Sequence, residues 1–163
     1  MSDDPPNGGL RNMKTVITYG TFDLFHVGHV RLLRRVRELG DRVVVGCSTD
    51  AFNTLKGKKT LMPFDQRVEI LSSCRYVDAV FPEESWDQKR DDILREGAQI
   101  FAMGHDWAGK FDDLADICDV VYLPRTGGVS TTEIRSLVRA LQAEKLNQVR
   151  AVVKDLDRLL REL

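Results

Sequence analysis

Strand-like and helix-like segments alternate along most of this 163-residue chain, and that alternation restricts its fold more than any other feature. Lys14 to Tyr19 (KTVITY) is a short β-rich run ending at Gly20. Val27 to Leu39 carries apolar residues at 27, 30, 32, 33, 36 and 39, the spacing of one helical face, and Gly40 stops it. Arg42 to Cys47 (RVVVGC) is nearly all apolar, as a parallel strand covered on both faces requires. The pattern then predicts a helix over Phe64 to Cys74, a strand over Tyr76 to Phe81 and a charged helix from Asp87 to about Gly97. Strands follow at Gln99 to Met103 and Asp119 to Leu123, and a C-terminal helix begins near Ser130. Alternation of this kind means βαβ units with right-handed crossovers. The expected fold is α/β: three layers on a five-stranded, mostly parallel sheet, with a C-terminal helical extension.

Residues 1–12 are acidic, then rich in Pro and Gly, and are expected to be a disordered tail; 13–140 is expected to form the domain, and 141–163 an amphipathic helix. With a net charge of −1, nothing global suggests nucleic acid or an anionic membrane as a partner, and any anion site must come from local segregation. No apolar run approaches the ~20 residues that span a bilayer. Cys47, Cys74 and Cys118 are widely spaced and form no CxxC pair, which points to reduced thiols and a cytoplasmic setting.

Ligands of such sheets bind outside the carboxyl ends of the strands, so the polar segments there carry the functional reading. Gly20 to His29 reads GTFDLFHVGH and leads from a strand into a helix, where free N–H groups and the helix dipole favour an anion. It is not GxGxxG, which disfavours a dinucleotide oxidoreductase. His26 and His29 straddle the helix start with Gly28 between them. Their imidazoles are placed to donate to phosphate oxygens without a covalent intermediate. Ordinary loop histidines are one alternative. A zinc site is another, and it would need Asp23 and His105 as further ligands. The last strand leads into RTGGVSTTEI, where Ser130, Thr131 and Thr132 put hydroxyls and free N–H groups at a helix N-terminus. Plain N-capping by Ser130, with Glu133 as capping-box partner, is the alternative. Lys56, Lys58 and Lys59 form a basic loop after the second strand, readable as a solvated loop or as a cationic flap over phosphates.

GTFDLFHVGH resembles the HxGH signature, and RTGGVSTTEI the RTxGIST motif, of the cytidylyltransferase group of nucleotidyltransferases, whose fold is Rossmann-like. The two motifs stand in the family's order, about a hundred residues apart. From Met13 to about Arg135 the chain resembles the glycerol-3-phosphate cytidylyltransferase family more narrowly, through STDAFN, RYVDAVFPEESWDQKRDDI, MGHDWAGKFD and VVYLPRTGGVSTTEI. Two departures stand out: Val129 replaces isoleucine in the second motif, and His105 stands where the family pattern carries an acidic residue.

The resemblance implies transfer of a cytidylyl group from CTP to sn-glycerol 3-phosphate. The acceptor phosphate attacks the α-phosphorus in line, giving CDP-glycerol and pyrophosphate. Thr21, Phe22, His26, Gly28, His29, Lys58, Asp106, Arg125, Thr126, Ser130, Thr131 and Thr132 are then expected to bind the nucleotide. His26, His29, Lys58 and Arg125 would be catalytic, and Lys56, Arg67, Arg75 and Lys89 would bind the acceptor. Mg2+ would travel with the triphosphate, with no dedicated protein metal site. The family also implies a homodimer and a role in cell-wall precursor supply. A sister enzyme using ATP, or phosphocholine, phosphoethanolamine or a sugar phosphate as acceptor, is an alternative. So is a nucleotide-binding module without turnover, which intact His26 and His29 argue against.

Beyond the resembling region, apolar residues at 146, 149, 153, 156, 160 and 163 step by 3 and 4 alternately, a heptad seam that Val152 and Leu159 widen. The seam fits packing on the chain's own domain or between two copies.

Overall fold

The computed structural model describes residues 13–125, 127 and 130–161, so the expected disordered tail lies outside the described residues. The chain divides into two compact units, Met1–Thr126 and Gly127–Leu163.

The first unit holds a five-stranded sheet of β1 (Thr15–Gly20), β2 (Arg42–Ser48), β3 (Ala79–Glu83), β4 (Ile100–Gly104) and β5 (Asp119–Leu123). Its order is β3-β2-β1-β4-β5, and every neighbouring pair is parallel. Helices α1 (Val27–Arg37), α2 (Asp50–Leu55), α3 (Phe64–Ser72) and α4 (Lys89–Glu96) connect the strands. Side chains alternate across the sheet and build a core on each face. Val16, Val43, Val45 and Ala102 pack with Leu33, Val36 and Leu71 of α1 and α3. Ile17, Tyr19, Phe101 and Met103 pack with Ile93 of α4 and with Phe111 and Leu114. Helix, sheet and helix are the three layers that the apolar strands demanded. Strand order reverses between β1 and β4, which opens a crevice outside their carboxyl ends.

β3 begins at Ala79, later than the apolar run from Tyr76 indicates. The Asp78 carboxylate accepts the Val43 N–H at 2.7 Å, which occupies the ladder position before the register starts at Ala79 opposite Val44. α2 is an addition inside a segment read as loop, and Thr49 caps it, its Oγ1 accepting the Phe52 N–H at 3.2 Å. α4 ends at Gly97, whose φ of 58° is the left-handed conformation glycine adopts freely.

The second unit contains α5 (Thr131–Arg161), one uninterrupted helix that crosses the position where sequence reading places a boundary, between residues 140 and 141.

Candidate active site

The segment after β1 is held in an unusual backbone conformation. Phe22 and Leu24 both have positive φ, 52° and 49°, a region that residues with a Cβ rarely occupy. The Phe22 ring turns back over Gly20, where an added Cβ would meet it at 2.8 Å. Asp23 is buried, and its two carboxylate oxygens accept the N–H groups of Leu61 and Met62 at 3.0 and 2.9 Å. Asp23 therefore ties this loop to the basic loop after α2. Among the described residues no group of three or more His, Cys, Asp or Glu is placed to hold a metal ion.

The loop delivers His26 to the N-cap of α1. Its Nδ1 accepts the Gly28 N–H at 3.0 Å, and the Nδ1 of His29 accepts the His26 N–H at 3.3 Å. The two rings stack with centroids 4.0 Å apart, and Phe25 and Phe22 lie against His29 at 5.5 and 5.3 Å. A ring nitrogen that accepts a hydrogen bond carries no proton, so each neutral imidazole bears its proton on Nε2. Burial, then the neighbouring His26, pushes the His29 pKa down to about 4, which keeps that ring neutral near pH 7. Two oriented N–H donors at a helix N-terminus suit an anion whose charge grows during reaction.

Beside them, Thr21 donates to the Asn53 Oδ1 at 2.9 Å, and the Asn53 amide donates to the Ser48 carbonyl at 3.2 Å. Lys56, just after α2, reaches Ser48 Oγ at 2.8 Å and Glu83 at 3.6 Å. Lys89, at the start of α4, contacts the other Glu83 oxygen at 2.6 Å. Glu83, at the carboxyl end of β3, is 2% exposed and also accepts from the Ser48 hydroxyl. Two ammonium groups thus share one carboxylate, leaving a surplus positive charge. Burial holds Lys56 below the ordinary lysine range, against the opposing pull of Glu83. Aromatic faces complete the surroundings: Lys56 sits over Phe52 at 4.2 Å and over Trp86 at 5.3 Å. Lys89 sits over Tyr19 at 4.5 Å and over Trp86 at 4.8 Å. The Tyr19 phenol, raised in pKa by burial and by Asp92, donates to Asp92 at 2.9 Å. A cavity of about 210 Å³ opens on the Lys89 side, lined in part by Trp86, Arg90 and Phe111.

The end of β4 runs into a 3-10 turn, His105–Trp107, with His105 and Asp106 exposed. Trp107 is half-buried and lies 5.3 Å from Trp86, which links this turn to the lysine cluster. Lys58, in the loop between α2 and α3, and Arg125, after β5, are exposed. The rim of the first unit therefore gathers Thr21, His26, Gly28, His29, Lys56, Lys58, Lys89, Asp106 and Arg125 at the carboxyl ends of the strands, whereas the Phe22 ring, expected at the nucleotide, is buried in the core.

Two expected acceptor ligands take other places. Arg67 is 1% exposed. Its guanidinium donates to the carbonyls of Thr21 at 2.7 Å, Ser48 at 2.8 Å and Met62 at 3.0 Å, and pairs with Asp50 at 2.6 Å. It braces the loops after β1, β2 and α2 from beneath, because a buried cation needs that many partners. Arg75 is exposed in the turn between α3 and β3, at the opposite edge of the sheet. Helix α3 runs back across the sheet and carries Arg75 away from the strand carboxyl ends.

In the second unit, Ser130 caps α5, its Oγ accepting the Glu133 N–H at 3.1 Å, with Thr131 half-buried and Thr132 exposed. Thr126, Gly128 and Val129 lie outside the described residues. Sequence reasoning missed Glu83, Ser48, Asn53 and Trp86. The signal for Glu83 was a carboxylate ending a strand six residues before a lysine.

Comparison with known proteins gives consistent matches. The cytidylyltransferase-like family matches residues 17–137. A glycerol-3-phosphate cytidylyltransferase of Staphylococcus aureus (strain NCTC 8325 / PS 47) is 55% identical over 123 residues, which cover 76% of this chain and 93% of that protein. A protein of the same name from Bacillus subtilis (strain 168) is 54% identical over 129 residues, covering 79% of this chain and all of that protein. The crystal structure of a lipopolysaccharide core biosynthesis protein from Thermoplasma volcanium GSS1 shares the fold. Its TM-score is 0.62 at 23% identity, and the match covers 70% of this chain and 98% of that one.

Proposed function

This chain belongs to the cytidylyltransferase-like family, and on that premise we propose that it transfers a cytidylyl group from CTP to sn-glycerol 3-phosphate, giving CDP-glycerol and pyrophosphate. The observation that carries the reading is the reciprocal locking of His26 and His29, which turns two neutral imidazoles into fixed Nε2–H donors at a helix N-terminus. The acceptor phosphate is already an anion at neutral pH, so no protein nucleophile is needed. Its oxygen attacks the α-phosphorus, the α-phosphate–pyrophosphate bond breaks in line, and His26 and His29 donate to the oxygens that gain charge. Mg2+ carried with the triphosphate would neutralise charge on the departing pyrophosphate, and this chain would hold it only through the bound nucleotide. Lys58 and Arg125 are the exposed cations for the triphosphate, with Thr21, Gly28 and Asp106 beside the nucleotide. Thr126, Ser130, Thr131 and Thr132 complete the nucleotide set.

Lys56 and Lys89 hold the acceptor phosphate. Their surplus positive charge over Glu83 supports this, since one further anion balances the cluster. The aromatic faces of Trp86 and Phe52 supply an apolar wall for a three-carbon acceptor. The enzyme works in the cytoplasm as a homodimer, and its product is an activated glycerol phosphate for cell-wall precursor supply. Free Cys47, Cys74 and Cys118 support the compartment.

The test is a pyrophosphate-release screen of four nucleoside triphosphates against glycerol 3-phosphate, phosphocholine, phosphoethanolamine and a sugar phosphate. CTP with glycerol 3-phosphate is expected to exceed every other pair by at least about tenfold in kcat/KM, as loss of a few matched polar contacts implies. Equal rates with ATP, or with another acceptor, would overturn the assignment.

A further inference from the structure

α5 extends beyond what the matched relatives share. The family match ends at residue 137, whereas α5 continues to Arg161. Over that stretch Leu146, Val149, Val153, Leu156 and Leu160 are between 51% and 63% exposed. Their spacing, alternately three and four, keeps them on one seam of the helix. A helix with such a stripe is marginal in water unless the stripe is covered.

We propose that residues 146–160 of α5 dock against the same segment of a second copy, as an antiparallel pair about a two-fold axis. Charge complementarity selects both the partner and the direction. With Leu146, Val153 and Leu160 at the a positions, Val149 and Leu156 are at d. In an antiparallel pair a residues face d residues, so Val153 meets Leu156 of the second copy and Val149 meets Leu160. Every one of these layers is apolar. The same register sets Arg150, at an e position, opposite Asp157 of the second copy, and the two-fold axis repeats the pair. A parallel pair would instead set Lys145, at g, against Arg150 of the other helix, two like charges. Arg150, Lys154 and Arg158, spaced by four, share one strip of the helix, but Asp155 and Asp157 leave residues 146–160 with a net charge of only +1, which gives an anionic membrane little to hold. Arg158 and Asp155 already pair within the helix at 3.6 Å.

Sedimentation velocity of the full-length chain over a concentration series tests the proposal, with circular dichroism and turnover measured in parallel. Val153→Asp buries a charge in the seam and is expected to weaken self-association by more than about tenfold, with turnover retained. Arg150→Asp is expected to weaken it by about fivefold through two lost pairs, and adding Asp157→Arg to restore it. A stronger dimer in Arg150→Asp would mean a parallel pair through Lys145 and would overturn the assignment. So would a full-length chain that is monomeric throughout, or one whose dimer is indifferent to both changes. Binding to anionic vesicles that Val153→Asp abolishes would show that a membrane covers the stripe instead. If Val153→Asp unfolds the chain, the charge-reversal pair decides: no restoration means the stripe packs on its own domain and the proposal fails.

Discussion

At the scale of single residues, the site depends on where protons and charges are held. His29 accepts a backbone N–H through Nδ1 and is buried enough to stay neutral, so its other nitrogen is a fixed donor. His29→Ala is expected to lower kcat by about a hundredfold or more while the fold survives, checked by steady-state kinetics and circular dichroism. The same environment makes stability depend on pH. The folded-state pKa of about 4 lies below the ordinary 6.5, so between those values the unfolded chain binds more protons than the folded one. Stability from this group is complete above about pH 6.5 and is lost as pH falls toward 4, by roughly 3 kcal/mol at the limit. Urea midpoints measured across that window are expected to slope downward with acid in the natural chain and to slope less in His29→Asn. Lys56 and Lys89 share Glu83 at different cost. Lys56→Ala is expected to raise KM for glycerol 3-phosphate more than for CTP. Lys89→Ala is expected to do the same and also to lose about 3 kcal/mol of stability, because the buried Glu83 carboxylate keeps only the Ser48 hydroxyl and the longer contact to Lys56. Both KM values and a thermal melt separate the two effects.

At the scale of elements, the loops at the strand ends matter more than the helices. The segment after β1 keeps two non-glycine residues at positive φ, a conformation that survives only if neighbours over-determine it. Those neighbours are Asp23, which binds the backbone of Leu61 and Met62, and Arg67, which joins three loops at their carbonyls. Arg67→Ala removes a buried cation and leaves Asp50 and three carbonyls short of a donor. It is expected to cost about 3–5 kcal/mol in a denaturant titration. Arg75→Ala, on the exposed turn at the other edge of the sheet, is expected to stay within about 0.5 kcal/mol of the natural chain. Equal losses from the two would mean that the brace is elsewhere.

At the scale of the whole molecule, strand order determines which loops can cooperate. Because β1 and β4 are neighbours although far apart in the chain, the histidine loop and the His105–Trp107 turn border one crevice. β2 and β3 bring Lys56 and Glu83 to the adjacent rim. The charge surplus there and the exposed Lys58 suit a highly charged pair of substrates. Product formation is expected to fall to background in excess EDTA and to return on adding Mg2+, followed by direct chromatographic measurement of CDP-glycerol. Full activity in chelator would remove the metal from the reaction.

Much of this was legible in the sequence, for physical reasons that can be located. Apolar runs such as Val43–Val45 and the helical spacing of Val27–Val36 report their own periods, so the α/β fold followed from local patterns. The histidine loop was also legible, because a Gly-Thr-Phe-Asp turn and two histidines three apart are encoded by neighbours in the chain. Buried partners were not legible. Nothing in the local pattern marks Arg67 or Lys89, both expected to bind the acceptor, as buried, yet one is a brace under three loops and the other closes on Glu83. Their burial is decided by carbonyls and carboxylates on other strands, whose positions no local pattern states. The heptad seam of α5 was likewise visible as spacing. Its exposure, and so its need for a partner, is a property of the folded chain alone, since what a helix face touches depends on where the rest of the molecule ends.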